Sequence, residues 1–132
     1  MAEAGRDWRN IRTGLEIPTK SYSDQPFIIR TDDGAWLCIM TTGAGTEGQF
    51  GQHVVSLRSE ACGLTWKQAV ALEPEDGPEA SYAVLLKVPG GRVYAFYNHN
   101  TDNVRQVQAD NPPYTDGYCR RVDSLGHFVC KY

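Results

Sequence analysis

No run in the 132-residue sequence approaches the roughly eighteen uninterrupted apolar residues that a membrane-crossing helix requires. The opening residues, M-A-E-A-G-R-D-W, carry charge where a secretory signal would need an apolar core. A membrane partner is therefore not expected, and the default compartment is the cytoplasm. An excess of basic residues is also missing: 13 Lys and Arg against 16 Asp and Glu give a formal net charge of -3. Without a positive footprint for the phosphate backbone, nucleic acid is not an expected partner. There is no Cys-x-x-Cys pair, and Cys38, Cys62, Cys119 and Cys130 lie too far apart for a zinc-ribbon pattern. Neither a metal nor another cofactor is expected. Cys38 and Cys130 sit inside apolar alternations and read as buried free thiols rather than disulfide partners.

What the sequence has in quantity is turn-forming residues. Thirteen glycines and seven prolines in a chain of this length favour many turns over long helices, so the expected class is all-β in one domain. The organising feature is a repeat. F-I-I-R-T-D-D-G-A-W-L-C-I-M at 27–40 returns as V-L-L-K-V-P-G-G-R-V-Y-A-F-Y at 84–97, without a gap and at an offset of 57. Each copy is an apolar run ending in a base, a tight turn closing on Gly34 or Gly91, and a second apolar run. That is one hairpin written twice, and repeats of such length mean stacked or circular arrays.

Around the hairpins the pattern extends. Residues 1–7 read as a loose, charged terminus, and 8–17 as a half-buried edge strand ended by Pro18. Phe27 to Thr31 is expected as a fully buried strand and 35–42 as its return. The segment at 41–51, with four glycines in eleven residues, is a loop. Strands at 52–58 and about 65–72 complete an antiparallel four-stranded meander, the unit of a propeller blade. A second unit starts near Glu79, and after a polar, proline-broken connection H-F-V-C-K-Y at 127–132 repeats the pattern of H-V-V-S-L-R at 53–58. By the measure of the first unit (about 24–74), the second (about 79–132) is expected to lack its final turn and strand.

The turn S-E-A-C-G-L-T-W at 59–66 resembles the Asp-box, S-x-D-x-G-x-T-W, of sialidases and other BNR-repeat proteins. Ser59, Gly63, Thr65 and Trp66 match, and Ala61 stands at the aspartate position. Losing that acceptor is expected to weaken the turn by about 1 kcal/mol. The wider run, including Y-S-D-Q-P-F, Q-H-V-V-S, P-E-A-S-Y-A-V and G-R-V-Y-A-F-Y-N-H-N, is similar to the N-terminal part of a sialidase-like family over most of residues 8–132. The resemblance implies a six-bladed propeller with a glycosidase site at one end of its channel. This chain would hold the first blade, most of the second and, in residues 8–17, the outer strand that closes the ring. Sialidases hold the substrate carboxylate with three arginines, the first just before the first strand. Here Asp24 occupies that place, so sialic acid is not the expected substrate.

In such a propeller the first strand of each blade lines the channel. Asp24 and Gln25 from the first unit are then expected beside Glu79 and Ser81 from the second. Asp24 and Glu79 are the candidate catalytic carboxylates, since glycoside hydrolysis needs a proton donor and a base or nucleophile. Gln25, His53, Ser81, Asn98, His99 and Asn100 are candidate sugar-binding residues. Tyr22, Tyr82 and Tyr97 read as packing residues. The Asn98 to Asn103 run lacks the spacing of a calcium loop. Two readings stay open: a fragment of a glycoside hydrolase, inactive alone, and a non-catalytic carbohydrate-binding or self-assembling module. In both, exposed sheet edges invite a homo-oligomer.

Overall fold

A computed structural model describes residues 9–47 and 49–101 and the backbone of 128–131. The expected loose terminus, Trp8 and the connection across 102–127 lie outside the described residues.

The protein is all-β. The first sheet runs β1 (Tyr22–Arg30), β2 (Trp36–Gly43), β3 (His53–Ser59) and β4 (Val70–Ala71), each antiparallel to the next. The second runs β5 (Ala80–Lys87), β6 (Val93–Asn100) and β7 (Phe128–Lys131) in the same order. No α-helix occurs among the described residues, and no helix there is long and apolar enough to cross a membrane.

The repeated hairpin is present with the same hydrogen bonds in both copies. The Gly34 N–H donates to the Thr31 carbonyl at 2.9 Å and the Thr31 N–H to that of Ala35 at 2.9 Å. Their counterparts 57 residues on are Gly91 to Val88 at 3.2 Å and Val88 to Arg92 at 3.0 Å. Gly34 and Gly91 have φ of 87° and 81°, the left-handed backbone that glycine adopts without a Cβ clash. An ion pair between Asp32 and Lys87 at 2.8 Å joins the two hairpin tips.

The first tip also holds an unusual carboxyl. Thr31 donates its hydroxyl to Asp33 at 2.6 Å, and the Arg58 guanidinium binds the other oxygen. These bonds hold the Asp33 pKa down to about 2, from 3.8. A depressed carboxylate stabilises the fold above its unfolded pKa, and that contribution is lost as pH falls through the folded value. Between pH 4 and 2, Asp33→Asn is therefore expected to flatten the acid limb of the stability curve. Following the Asp33 carboxyl carbon by NMR should give a midpoint near 2; a midpoint near 4 would remove this link.

Two cores follow from strand alternation. Ile39 and Val54 of the first sheet pack on Ala80, Ala83, Leu85 and Tyr97 of the second, with Ile29, Leu37, Leu72, Val93 and Ala95 around them. Facing the other way, Cys38, Met40, Val55 and Leu57 form a smaller cluster covered by Ile17 and Trp66. Cys38 is fully buried and unpaired, as expected, and burial pushes its thiol up to about 11. Cys130 lies in β7, of which only the backbone is described.

Three expectations about the strands need correction. β1 is longer than 27–31 and is not fully buried: Phe27 is 38% and Ile28 41% exposed. It is the edge of its sheet, which also explains how it runs through Pro26, since an edge residue needs no ladder donor. Residues 9–17 form no strand among the described residues; a single 3-10 turn, Ile11–Thr13, is capped by the Asn10 side chain accepting the Arg12 N–H at 3.1 Å. β4 shrinks to a two-residue contact. Beyond it isolated backbone bonds, Lys67 N–H to the Arg58 carbonyl at 2.8 Å and Leu72 N–H to that of Val54 at 2.9 Å, link the segment to β3.

The turn at 59–66 is organised by Ser59. Its buried hydroxyl accepts the N–H groups of Ala61 at 3.3 Å and Gly63 at 2.9 Å, and the Leu64 N–H donates to the Ala61 carbonyl at 3.0 Å. The Trp36 ring lies against Gly63, where a Cβ would meet it at 3.0 Å.

Candidate functional site

Both first strands carry the same irregularity. β1 shifts register between Asp24 and Phe27, and β5 between Ser81 and Val84. At the centre of each shift stands a non-glycine residue with left-handed backbone: Gln25 with φ 47° and Tyr82 with φ 56°. These two positions are 57 apart, so the bulge repeats with the hairpin. Each costs on the order of 1 kcal/mol or more. Bulges of this kind re-aim side chains at the end of a strand.

What they aim is a small polar cluster where the two sheets meet. Asp24 pairs across the ladder with Thr41, and Tyr22 lies two residues away on the same face. Tyr22 is pushed up to about 12 by burial, by the negative charges of Asp24 and Glu47, by a hydrogen bond to Asp24 and by the nearby Tyr82. At neutral pH the phenol is thus protonated and donates to Asp24. Tyr82, 51% exposed, lies near enough for its phenol to act on Tyr22. Thr41 is buried, and its hydroxyl has no hydrogen-bond partner among the described residues. The cluster thus offers a carboxylate acceptor, a phenol and an open aromatic face.

The other expected site residues occupy distinct places. Gln25 is exposed at the bulge. By the repeat, Asp24 corresponds to Ser81, and Glu79 corresponds to Tyr22. Ser81 pairs with Asn98, and Glu79, one residue before β5, accepts the Asn100 N–H on its carbonyl at 2.8 Å. Ser81 and Asn100 are buried, whereas Asn98 is exposed.

His53 is on the opposite face of the first sheet from Asp24, because its ladder partner is Thr42 and not Thr41. Its Nδ1 lies 2.8 Å from the Gly51 carbonyl. A carbonyl only accepts, so Nδ1 carries the proton and Nε2 is the free lone pair of the neutral ring. The imidazole lines a cleft of about 370 Å³ with Thr42 and the paired Lys20 and Glu75. The hydrogen bond and positive charge of Lys20 hold the Glu75 carboxyl below its usual range.

His99 faces the first sheet and is buried against Glu73, its Nε2 3.7 Å from the carboxylate. Tyr97 donates its hydroxyl to the other Glu73 oxygen at 2.9 Å. Burial, followed by this bond and the charge of Glu73, pushes Tyr97 up to about 12. The trio ties the segment before β5 to β6. Nothing in the sequence pattern marks Glu73, and the pattern points to packing for Tyr22 and Tyr82. Carrying the offset of 57 a few residues back from the hairpin would have matched Gln25 with Tyr82.

Among the described residues no group of three or more His, Cys, Asp or Glu side chains is placed to hold a metal ion. No family model, curated protein or solved structure matches the chain.

Proposed function

We propose that the chain is part of a sialidase-like BNR-repeat propeller and that the rim between β1 and β5 is one wall of a glycoside-binding site. The observation that carries this reading is the convergence of Tyr22, Asp24 and Tyr82 on a bulge that both copies share. An exposed aromatic ring beside a hydrogen-bonded carboxylate suits a pyranose, with its apolar face against the ring and its hydroxyls on the acid. Asp24 and Glu47 make the rim negative, which favours neutral sugars over sialic acids. In a hydrolytic version of the site, Asp24 and Glu79 are the carboxylates that would share the acid and base roles. In a binding version, Asp24 anchors a hydroxyl and the exposed Gln25 extends the contact.

Titration calorimetry of the full chain against a panel of neutral oligosaccharides tests the reading. At least one is expected to bind, with Tyr82→Ala and Asp24→Asn each weakening it tenfold or more. If no neutral glycan binds, or if both variants bind like the unmodified chain, the reading is wrong.

A further inference from the structure

The two sheets pack front to back. The side of the second sheet buried against the first carries Leu85 and Val93, together with Ala83, Ala95 and Tyr97. Their counterparts 57 residues earlier include Ile28, Trp36, Cys38 and Met40, which face away from the second sheet. Ile28 and Trp36 line an open apolar groove of about 530 Å³, walled also by Leu15, Leu64 and Trp66. The opposite relation holds on the far side of the second sheet. Val84 pairs with Phe96 and Leu86 with Tyr94, so the four share one face. They are the counterparts of Phe27, Ile39, Ile29 and Leu37. Of these, Ile29, Leu37 and Ile39 belong to the core between the sheets. Yet Val84 is 45% and Leu86 49% exposed, and Tyr94 and Phe96 are only half-buried.

One end of the two-sheet stack thus displays counterparts of the first sheet's inner face, and the other an open strip at Ile28 and Trp36 beside Cys38 and Met40, which are already buried with Ile17 and Trp66 packed against them. We infer that a second copy of this chain docks head to tail, its Val84, Leu86, Tyr94 and Phe96 face seated on the groove at Ile28 and Trp36. The contact repeats the internal one at Ile28 and Trp36, the counterparts of Leu85 and Val93, and removes from water apolar side chains that the fold leaves open. Because the two surfaces differ, it is heterologous: it closes into a ring or extends into a chain according to the rotation between sheets. The inference rests on the repeat and not on the carbohydrate reading, so either can fail alone.

Light scattering during size-exclusion chromatography of the full chain, over a hundredfold range of concentration, tests it. The unmodified chain is expected to reach at least twice the mass of one chain. Ile28→Glu and Leu86→Glu, both at exposed positions, should each remain single chains with an unchanged melting transition. Mixed together they should form a one-to-one pair and nothing larger, since each retains one intact surface. Should Ile28→Glu fail to melt cooperatively, Leu64→Glu on the same groove replaces it. A single-chain mass for the unmodified protein overturns the inference. So does assembly abolished by Leu86→Glu but untouched by the groove variants, which would mean two like faces meeting.

Discussion

Replacing Ile39 with alanine is expected to lower the free energy of unfolding by about 2–5 kcal/mol. Ile39 is fully buried at the centre of the contact between the sheets, with Val54 beside it and Leu85, Ala83 and Tyr97 opposite. Truncation removes the transfer energy of the lost methyl and methylene groups and leaves a cavity that two ladder-locked sheets cannot close. Small domains have stabilities of only about 5–15 kcal/mol, so the variant should unfold at markedly lower urea. The control is Phe96→Ala, at the position 57 residues on. Phe96 is the larger side chain but is half-buried on the outer face, so in the single chain it should cost less than Ile39→Ala. Equal losses in urea titrations at low protein concentration would mean that the two faces are equally covered, contrary to the front-to-back arrangement.

The second large effect is expected from Gly63→Ala, at about 2 kcal/mol or more, because an added Cβ forces a left-handed L-residue and crowds an aromatic ring. Gly63 has φ of 83°, and the new atom would sit 3.0 Å from Trp36. Ala61→Asp should move stability by well under about 1 kcal/mol, since the N–H groups of Ala61 and Gly63 already have the Ser59 hydroxyl as acceptor. Sequence alone suggested a weakened turn at Ala61; the geometry shifts that weight onto Ser59 and Gly63. Thermal melts of the two variants side by side separate these roles. A larger change from Ala61→Asp than from Gly63→Ala would refute this assignment.

The hairpins were legible in the sequence because turn chemistry is local: Asp32, Asp33 and Gly34 specify their turn whatever surrounds them. So was the apolar run of β2, whose consecutive residues Cys38 and Ile39 are both buried because each face of the sheet is covered. The exposure of Phe27 and Ile28 was not. Whether an apolar run is a central or an edge strand depends on what lies beyond it, which composition does not encode. The bulges were hidden for a related reason. Neither Gln25 nor Tyr82 is a residue that seeks positive φ, so only the register of the completed sheets reveals them. The candidate site depended on that bulge, which is why Asp24 was legible as a candidate while its neighbours Tyr22 and Tyr82 were passed over. His53 illustrates the sensitivity of a strand to register: one position along β2, from Thr41 to Thr42, sends the partner to the other face.

The strand order β1-β2-β3-β4, then β5-β6-β7, bears on how the chain acquires its shape during synthesis. Within each sheet every strand pairs with the one before it; the ladders from β1 to β4 and from β5 to β6 close over short stretches of chain, whereas β6 meets β7, and the first sheet meets the second, over longer ones. As residues leave the ribosome in sequence, each new strand meets a partner already released. The first sheet can assemble before the second is made, and it then presents a finished surface on which β5 and β6 fold. The order of translation and the order of the sheet are the same.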